Sequence, residues 1–265
     1  YTRTAKLSKN DVLAEVAAEI ADFVQRDMTT PEGGFCSAFD AETNAIEGEY
    51  YVWSKQQIRD TLGAENSSLF EKVYGLNSEN PFEQGFVLHL PSSLADVAAG
   101  QDMDLAKLQA ELQKNRDLLL IVRSKRERPL LDDKVLSAWN SLMIRALAFS
   151  GRELQRPQDT AAAERAADFL LTNLQTNDGK LMRTWRNGSP KYNGYLDDYA
   201  FLVDALLELH ATTDNKKWLD EATTLARQQV KSFYDDKLQA FYFTSSNHEQ
   251  LIARTSSVYD SVFPS

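Results

Sequence analysis

The chain is 265 residues long, 43% apolar and 26% charged, enough for one large domain or two modest ones with ample core. Its 29 Lys and Arg stand against 39 Asp and Glu, a net charge of −10, which argues against nucleic acid and anionic membranes as partners of the surface as a whole. Cys36 is the single cysteine, so an internal disulfide, a CxxC pair and a thiolate metal cluster are excluded.

That cysteine usage fits a reducing, cytoplasmic setting, and no apolar run approaches the ~18 residues of a membrane span. The sequence opens on Tyr1 without a signal peptide, and it reads as a piece of a longer chain. Asn10-Asp11 caps a helix from Val12 to Asp27, amphipathic through Val16, Ile20, Phe23 and Val24. Pro31 to Phe35 is a turn. Two short alternating stretches, Phe35–Asp40 and Glu49–Trp53, read as a hairpin. Ser54 caps a helix ending near Gly63, and another runs from Ser67 to Tyr74. Gly75 to Ser93 is loop, with a strand signal at Phe86–His89. A charged amphipathic helix covers Asp104–Glu127 until Pro129 stops it, and its basic end, Arg123 to Arg128, reads as solvated.

Asp132-Asp133-Lys134 opens the next helix, which is apolar nearly all round and ends near Gly151. Ala161–Leu174 is amphipathic again. Asn187-Gly188 turns a second hairpin that starts at Leu181. Gly194 then precedes a helix from Tyr195 to Ala211, with Asp197 and Asp198 in its first turn, where the helix dipole favours negative charge. It too is apolar nearly all round, the mark of a buried helix. Its two carboxylates either cap it or face a cavity at its end. Lys216–Phe233 is amphipathic, Asp235-Asp236 turns into Phe241–Phe243, and Tyr259–Ser265 reads as the entrance to a further helix.

Amphipathic and buried helices thus alternate, and a unit of amphipathic helix, turn, strand and loop recurs three times. Buried helices can form an inner ring and amphipathic ones an outer ring. The expected fold is all-α: a partial α/α toroid with short β-hairpins in its connections, one domain over residues 1–265 with an excursion over 28–131. A closed ring of six hairpins needs about twelve helices, and this chain supplies about six.

Four motifs carry a resemblance. They are Thr30-Pro31-Glu32-Gly33-Gly34-Phe35 with Glu47-Gly48-Glu49 and Tyr51-Val52-Trp53; Asp132-Asp133-Lys134 with Trp139-Asn140; Gly194-Tyr195-Leu196-Asp197-Asp198-Tyr199; and Asp260 with Pro264-Ser265. In this order they resemble the thioredoxin-domain-containing, spermatogenesis-associated protein family. The resemblance implies a thioredoxin-like domain N-terminal to this chain, followed by a six-hairpin toroid similar to glycosidases and N-acylglucosamine epimerases. It implies no redox activity for this piece.

Glycoside hydrolysis needs two carboxyls across a sugar, ~5–5.5 Å apart for retention and ~6.5–9.5 Å for inversion. Asp133, Asp197 and Asp198 are the catalytic candidates. Asp40, Glu49, Trp53, Trp139, Asn140, Tyr195, Tyr199 and Asp260 are the ligand-binding candidates, with Trp185 a further stacking surface. Adjacent helical residues point about 100° apart, so Asp197 and Asp198 cannot both face one cavity, and one is expected to cap or to pair with Lys134 or Arg183. Epimerase chemistry would want placed histidines; His89, His210 and His248 lie in an excursion, at a far helix end and in a polar loop. No metal cluster and no cofactor motif is present in the sequence. The expected function is binding of a sugar-like ligand, with glycoside hydrolysis within reach. The alternative is a non-catalytic scaffold for the thioredoxin-like domain.

Overall fold

Asn10 caps its helix as expected, accepting hydrogen bonds from the N–H groups of Val12 and Leu13. The computed structural model describes residues 1–77, 79, 84–248 and 252–256. Among these it forms nine helices: α1 (Thr2–Ser8), α2 (Asp11–Asp27), α3 (Lys55–Val73), α4 (Leu94–Gly100), α5 (Leu105–Arg123), α6 (Ser137–Glu153), α7 (Pro157–Asn173), α8 (Leu196–Thr213) and α9 (Lys216–Phe233). The chain divides into two compact units, one of residues 1–38 and 132–265, the other of residues 39–131.

The first unit is three helical hairpins side by side: α1 with α2, α6 with α7, α8 with α9. The inner helices follow one another through ion pairs, Lys6 of α1 to Glu153 of α6, then Arg145 and Arg152 of α6 to Asp204 and Glu208 of α8. The outer helices are stitched in the same way, Asp22 of α2 to Arg156 just before α7 and Asp168 of α7 to Lys217 of α9. This is the expected all-α, partial α/α-toroid arrangement. Its core runs between the layers through Ile144, Leu147, Leu170, Leu202, Leu206, Trp218 and Leu225, all almost fully buried. Small residues set the spacing. Ala162, Ala163, Ala166 and Ala167 are buried along α7, and a Cβ on Gly151 would lie 2.2 Å from Thr160 Oγ1.

The all-round apolar helices are less enclosed than their sequences imply. Trp139 of α6 and Leu207 of α8 are each 43% exposed. The flanking outer helix α7, in contrast, has neighbours on several sides and buries more of its surface than an amphipathic stripe alone would. Another difference lies at the start of α6. The helix begins at Ser137, not at Asp132, because Val135 and Leu136 pair as a strand with Trp185 and Thr184. That strand extends the expected hairpin Met182–Arg186 / Ser189–Asn193, turned by Asn187 and Gly188 at positive φ, into a three-stranded sheet.

In the second unit Ser54 and Gln57 form a reciprocal capping box at the start of α3. The two expected short helices appear as one span broken at Gly63, whose φ of 78° and ψ of 167° are non-helical. Ile58, Phe70, Leu76, Leu108 and Leu112 make its core. The expected pairing of Phe35–Asp40 with Glu49–Trp53 does not form. Instead, Glu42–Thr43 pairs with Ile46–Glu47 across Asn44 and Ala45, both at positive φ, and Trp53 bridges Phe86. The local turn outcompetes the longer-range hairpin because closing it orders fewer residues. The short helix α4, capped by Ser93 on the Asp96 N–H, carries too little apolar periodicity to be read from sequence.

Candidate functional site

The first turns of α6 and α8 meet. Asp198, in the first turn of α8, sends its carboxylate into the neighbouring helix, where Oδ1 accepts the Ala138 N–H of α6 at 3.0 Å. Its Oδ2 accepts the Tyr195 N–H at 2.8 Å and an Arg183 Nη1 hydrogen bond at 3.0 Å. The side chain has no exposed surface to speak of, and burial, followed by the charge of Asp197, pushes its carboxyl up to about 7. Arg183 and the two backbone N–H groups pull the other way and are outweighed.

Asp197 points elsewhere, as the angular argument requires. Its Oδ1 accepts the Asp198 N–H at 3.0 Å and shares Nη1 of Arg183 at 3.4 Å, and the side chain keeps 22% of its surface in water. The expected base is therefore Arg183, and it serves both aspartates. Lys134 pairs with Asp132 at 3.1 Å instead. Asp133, half exposed, pairs with Arg186 at 2.5 Å. Both arginines come from the strand Met182–Arg186, the strand that pairs with Val135–Leu136 just before α6. Val135–Leu136 and the Ala138–Asp198 bond together set Asp133, Trp139, Asp197 and Asp198 at one end of the two inner helices.

Tyr195 is held rather than open. Arg183 Cζ lies 4.6 Å from its ring centroid, Phe243 stacks at 5.0 Å and His248 packs at 5.0 Å. Phe243 also accepts the Leu196 N–H at 3.0 Å, which ties the segment after α9 to the start of α8. The sequence sets His248 aside as a polar-loop histidine, and the structure brings it to Tyr195. It sits in a polar loop with no local motif, and only the return of that loop onto Tyr195 places it here. Among the described residues neither of its ring nitrogens, both buried, has a hydrogen-bond partner.

Two other candidates are structural. Asn140 is 2% exposed; it accepts the Phe35 N–H at 2.7 Å and donates to the Phe35 and Leu136 carbonyls. Its amide splices the Gly34-Phe35 turn to α6 and has no group left for a ligand. Tyr199 is 3% exposed, with its ring against Phe233 and its hydroxyl accepting the Leu181 N–H at 2.7 Å. Trp185 packs edge-on against Phe169. Gly194 is required where it stands, since a Cβ there would come within 2.8 Å of the Leu181 carbonyl. Asp260 lies outside the described residues.

Asp40, Glu49 and Trp53 belong to the second unit. Trp53 is buried beneath Arg126, whose Cζ lies 4.0 Å from its ring centroid, so its face is covered by the cation and closed to a sugar. The basic stretch at the end of α5 is accordingly not all solvated: Arg126 and Arg123 turn inward onto Trp53, Tyr50 and Tyr51. Among the described residues, no group of three His, Cys, Asp or Glu is placed to hold a metal ion, and no helix is long and apolar enough to cross a membrane.

No protein-family model matches the chain. Among solved structures, it is similar to a cellobiose 2-epimerase from Bacillus thermoamylovorans, with 10% identity and a TM-score of 0.43 over 90% of this chain and 60% of that one. A sugar epimerase from a ruminal bacterium gives 14% identity and a TM-score of 0.43 over 88% and 59%. By sequence it is 26% identical to an uncharacterised Caenorhabditis elegans protein over 83% of its length. It is 31% identical to spermatogenesis-associated protein 20 of Homo sapiens over an alignment that covers 89% of this chain and 34% of that protein. The mouse protein matches equally well. The chain, which spans about a third of the length of these relatives, is thus homologous over 89% of its own length to the spermatogenesis-associated protein 20 family.

Proposed function

We propose that the first unit binds a sugar-like ligand at the joined N-terminal ends of α6 and α8. The observation that carries this reading is the Asp198–Ala138 hydrogen bond, which locks the two helix starts together; Asp197 and Trp139 are the chain neighbours of its two ends, and Asp133 pairs with Arg186 on the strand that also supplies Arg183. A sugar asks for hydroxyl acceptors, hydroxyl donors and an apolar platform. Asp197 Oδ2 and the Asp133 carboxylate are the acceptors, Arg183 and Arg186 the donors, and the half-exposed Trp139 indole the platform. An anion is a poorer fit. The Leu196, Asp198 and Tyr199 N–H groups of α8 already donate to Phe243, Asp197 and Tyr195, and the two carboxylates in that first turn repel a phosphate.

Binding fits this arrangement better than hydrolysis. A glycosidase needs two carboxyls open to one sugar. Asp198 has the raised pKa of a general acid, but all of its approach is taken by two backbone N–H groups and an arginine. The rest of the relatives' length leaves room for the thioredoxin-like domain that the sequence resemblance implies, and we place this unit as the carbohydrate-binding part of such a protein. Titration of the chain with a panel of mono- and disaccharides tests the reading. Saturable binding that is lost in Asp197→Asn and Trp139→Ala is expected, and a panel without a single binder would defeat it.

A further inference from the structure

The second unit has a pocket of its own. It measures about 300 Å³ and is walled by Thr43, Asn44, Glu49, Tyr50, Gln57 and Glu127, with Arg126 at its back. That volume is at the lower end of ligand sites, suited to a molecule of about a dozen heavy atoms. The hairpin turn at Asn44 and Ala45 builds one wall, and Asn44 Nδ2 steadies Glu49 by donating to its Oε2 at 3.2 Å.

Hydrogen-bond bookkeeping decides what the pocket can hold. Arg126 is the cation on its wall, yet it has little to offer. Its Nη1 is spent on the Tyr50 and Val52 carbonyls at 2.9 and 2.8 Å, and Nη2, without a hydrogen-bond partner among the described residues, is sealed from solvent. Gln57 has given its carbonyl oxygen to the Ser54 N–H and keeps only its NH2. The acceptors are freer. Among the described residues, no protein group donates to Glu49 Oε1 or to either oxygen of the Glu127 carboxylate. The walls therefore present two carboxylates against a guanidinium whose Nη1 is spent and whose Nη2 is closed off from solvent. An anionic ligand would meet those carboxylates unpaired, while a ligand rich in donors and carrying a positive charge would satisfy them.

We propose that this pocket binds a small hydroxylated ammonium compound, an amine-bearing polyol of monosaccharide size, with the ammonium between Glu49 and Glu127 and the hydroxyls on Asn44, Gln57 and Thr43. The proposal stands apart from the reading of α6 and α8, because its residues all lie within the other unit.

The test uses glucosamine as probe, with glucose and gluconate as neutral and anionic counterparts of the same size. Binding is followed by titration and by the side-chain amide NMR signals of Asn44 and Gln57, which report on this pocket alone. Glucosamine is expected to shift both signals and to bind about tenfold tighter than glucose, the worth of one charge-assisted hydrogen bond, with gluconate weakest. The double variant Glu49→Gln/Glu127→Gln should lose that preference while keeping the circular dichroism of the parent. Unmoved Asn44 and Gln57 signals, equal affinity for glucose and glucosamine, or tighter binding of gluconate would each overturn the proposal, and all three are read on the unsubstituted chain. Asp197→Asn reports separately on the α6/α8 site, so the two ideas fail independently.

Discussion

Asp198 shows how a single side chain can be legible in kind and hidden in detail. Its place in a helix first turn follows from sequence, and so does the need for one member of the Asp197-Asp198 pair to turn away. Which member turns, and into what, depends on Ala138, sixty positions distant in the chain. A carboxyl raised to about 7 in the fold, against about 4 in the unfolded chain, has a definite pH signature. The folded state holds the proton more tightly, so the group's contribution to stability is full below about pH 4 and is lost as pH rises through 7. Urea unfolding of the parent and of Asp198→Asn across that window should therefore give a stability difference that shrinks, parent relative to variant, from pH 4 to pH 7. A flat difference would contradict the burial of this group. Asn140 is the harder case. Nothing local marks its bond to Phe35, which spans 105 positions, and the same Trp-Asn motif reads equally well as a ligand contact. Asn140→Ala strands the Phe35 N–H and carbonyl inside the protein, and chemical denaturation should show a loss of about 1–3 kcal/mol.

At the scale of elements, the helices were legible where a cap and a periodic face coincide, as in α2, α5 and α9. The exceptions have a common cause: a segment whose partner lies elsewhere in the chain. Val135-Leu136 continues an apolar helical pattern, yet the edge of the strand Met182–Arg186 claims it, and α6 starts later than its sequence suggests. The apolar surround of α6 and α8 correctly marked them as the inner layer, but it overstated their burial at Trp139 and Leu207. Close approach between elements is the most direct thing to test here. Gly151 lies where α6 turns into α7, with the Thr160 N and Oγ1 within 2.9 Å of where a Cβ would stand. Gly151→Ala forces that contact apart, and thermal or urea unfolding should register about 1–3 kcal/mol of destabilisation, as overpacking does. At the exposed start of α3, Ser54→Ala removes half of a capping box and should cost about 1 kcal/mol.

For the whole molecule, alternation of amphipathic and apolar helices was enough to reach three hairpins in two layers, because that pattern is a statement about which faces see water. The site was only partly legible. Asp197 and Asp198 share Arg183, Asp198 reaches Ala138 of the other inner helix, Asp133 pairs with Arg186 of the same strand, His248 arrives from a loop without a motif, and Trp53, Asn140 and Tyr199 prove to be internal. A carboxyl closed off as Asp198 is cannot act across a sugar, so the chain should fold yet give no turnover of aryl glycosides or amino sugars above that of a heat-denatured control. The central claim, that the joined ends of α6 and α8 form a carbohydrate site, is tested most directly by isothermal titration of a mono- and disaccharide panel into the parent chain, Asp197→Asn and Glu49→Gln/Glu127→Gln. A sugar that binds the parent and the double variant alike, and that loses about tenfold or more in affinity with Asp197→Asn at unchanged melting temperature, is the expected result. No binding to the parent, or binding indifferent to Asp197, would contradict it.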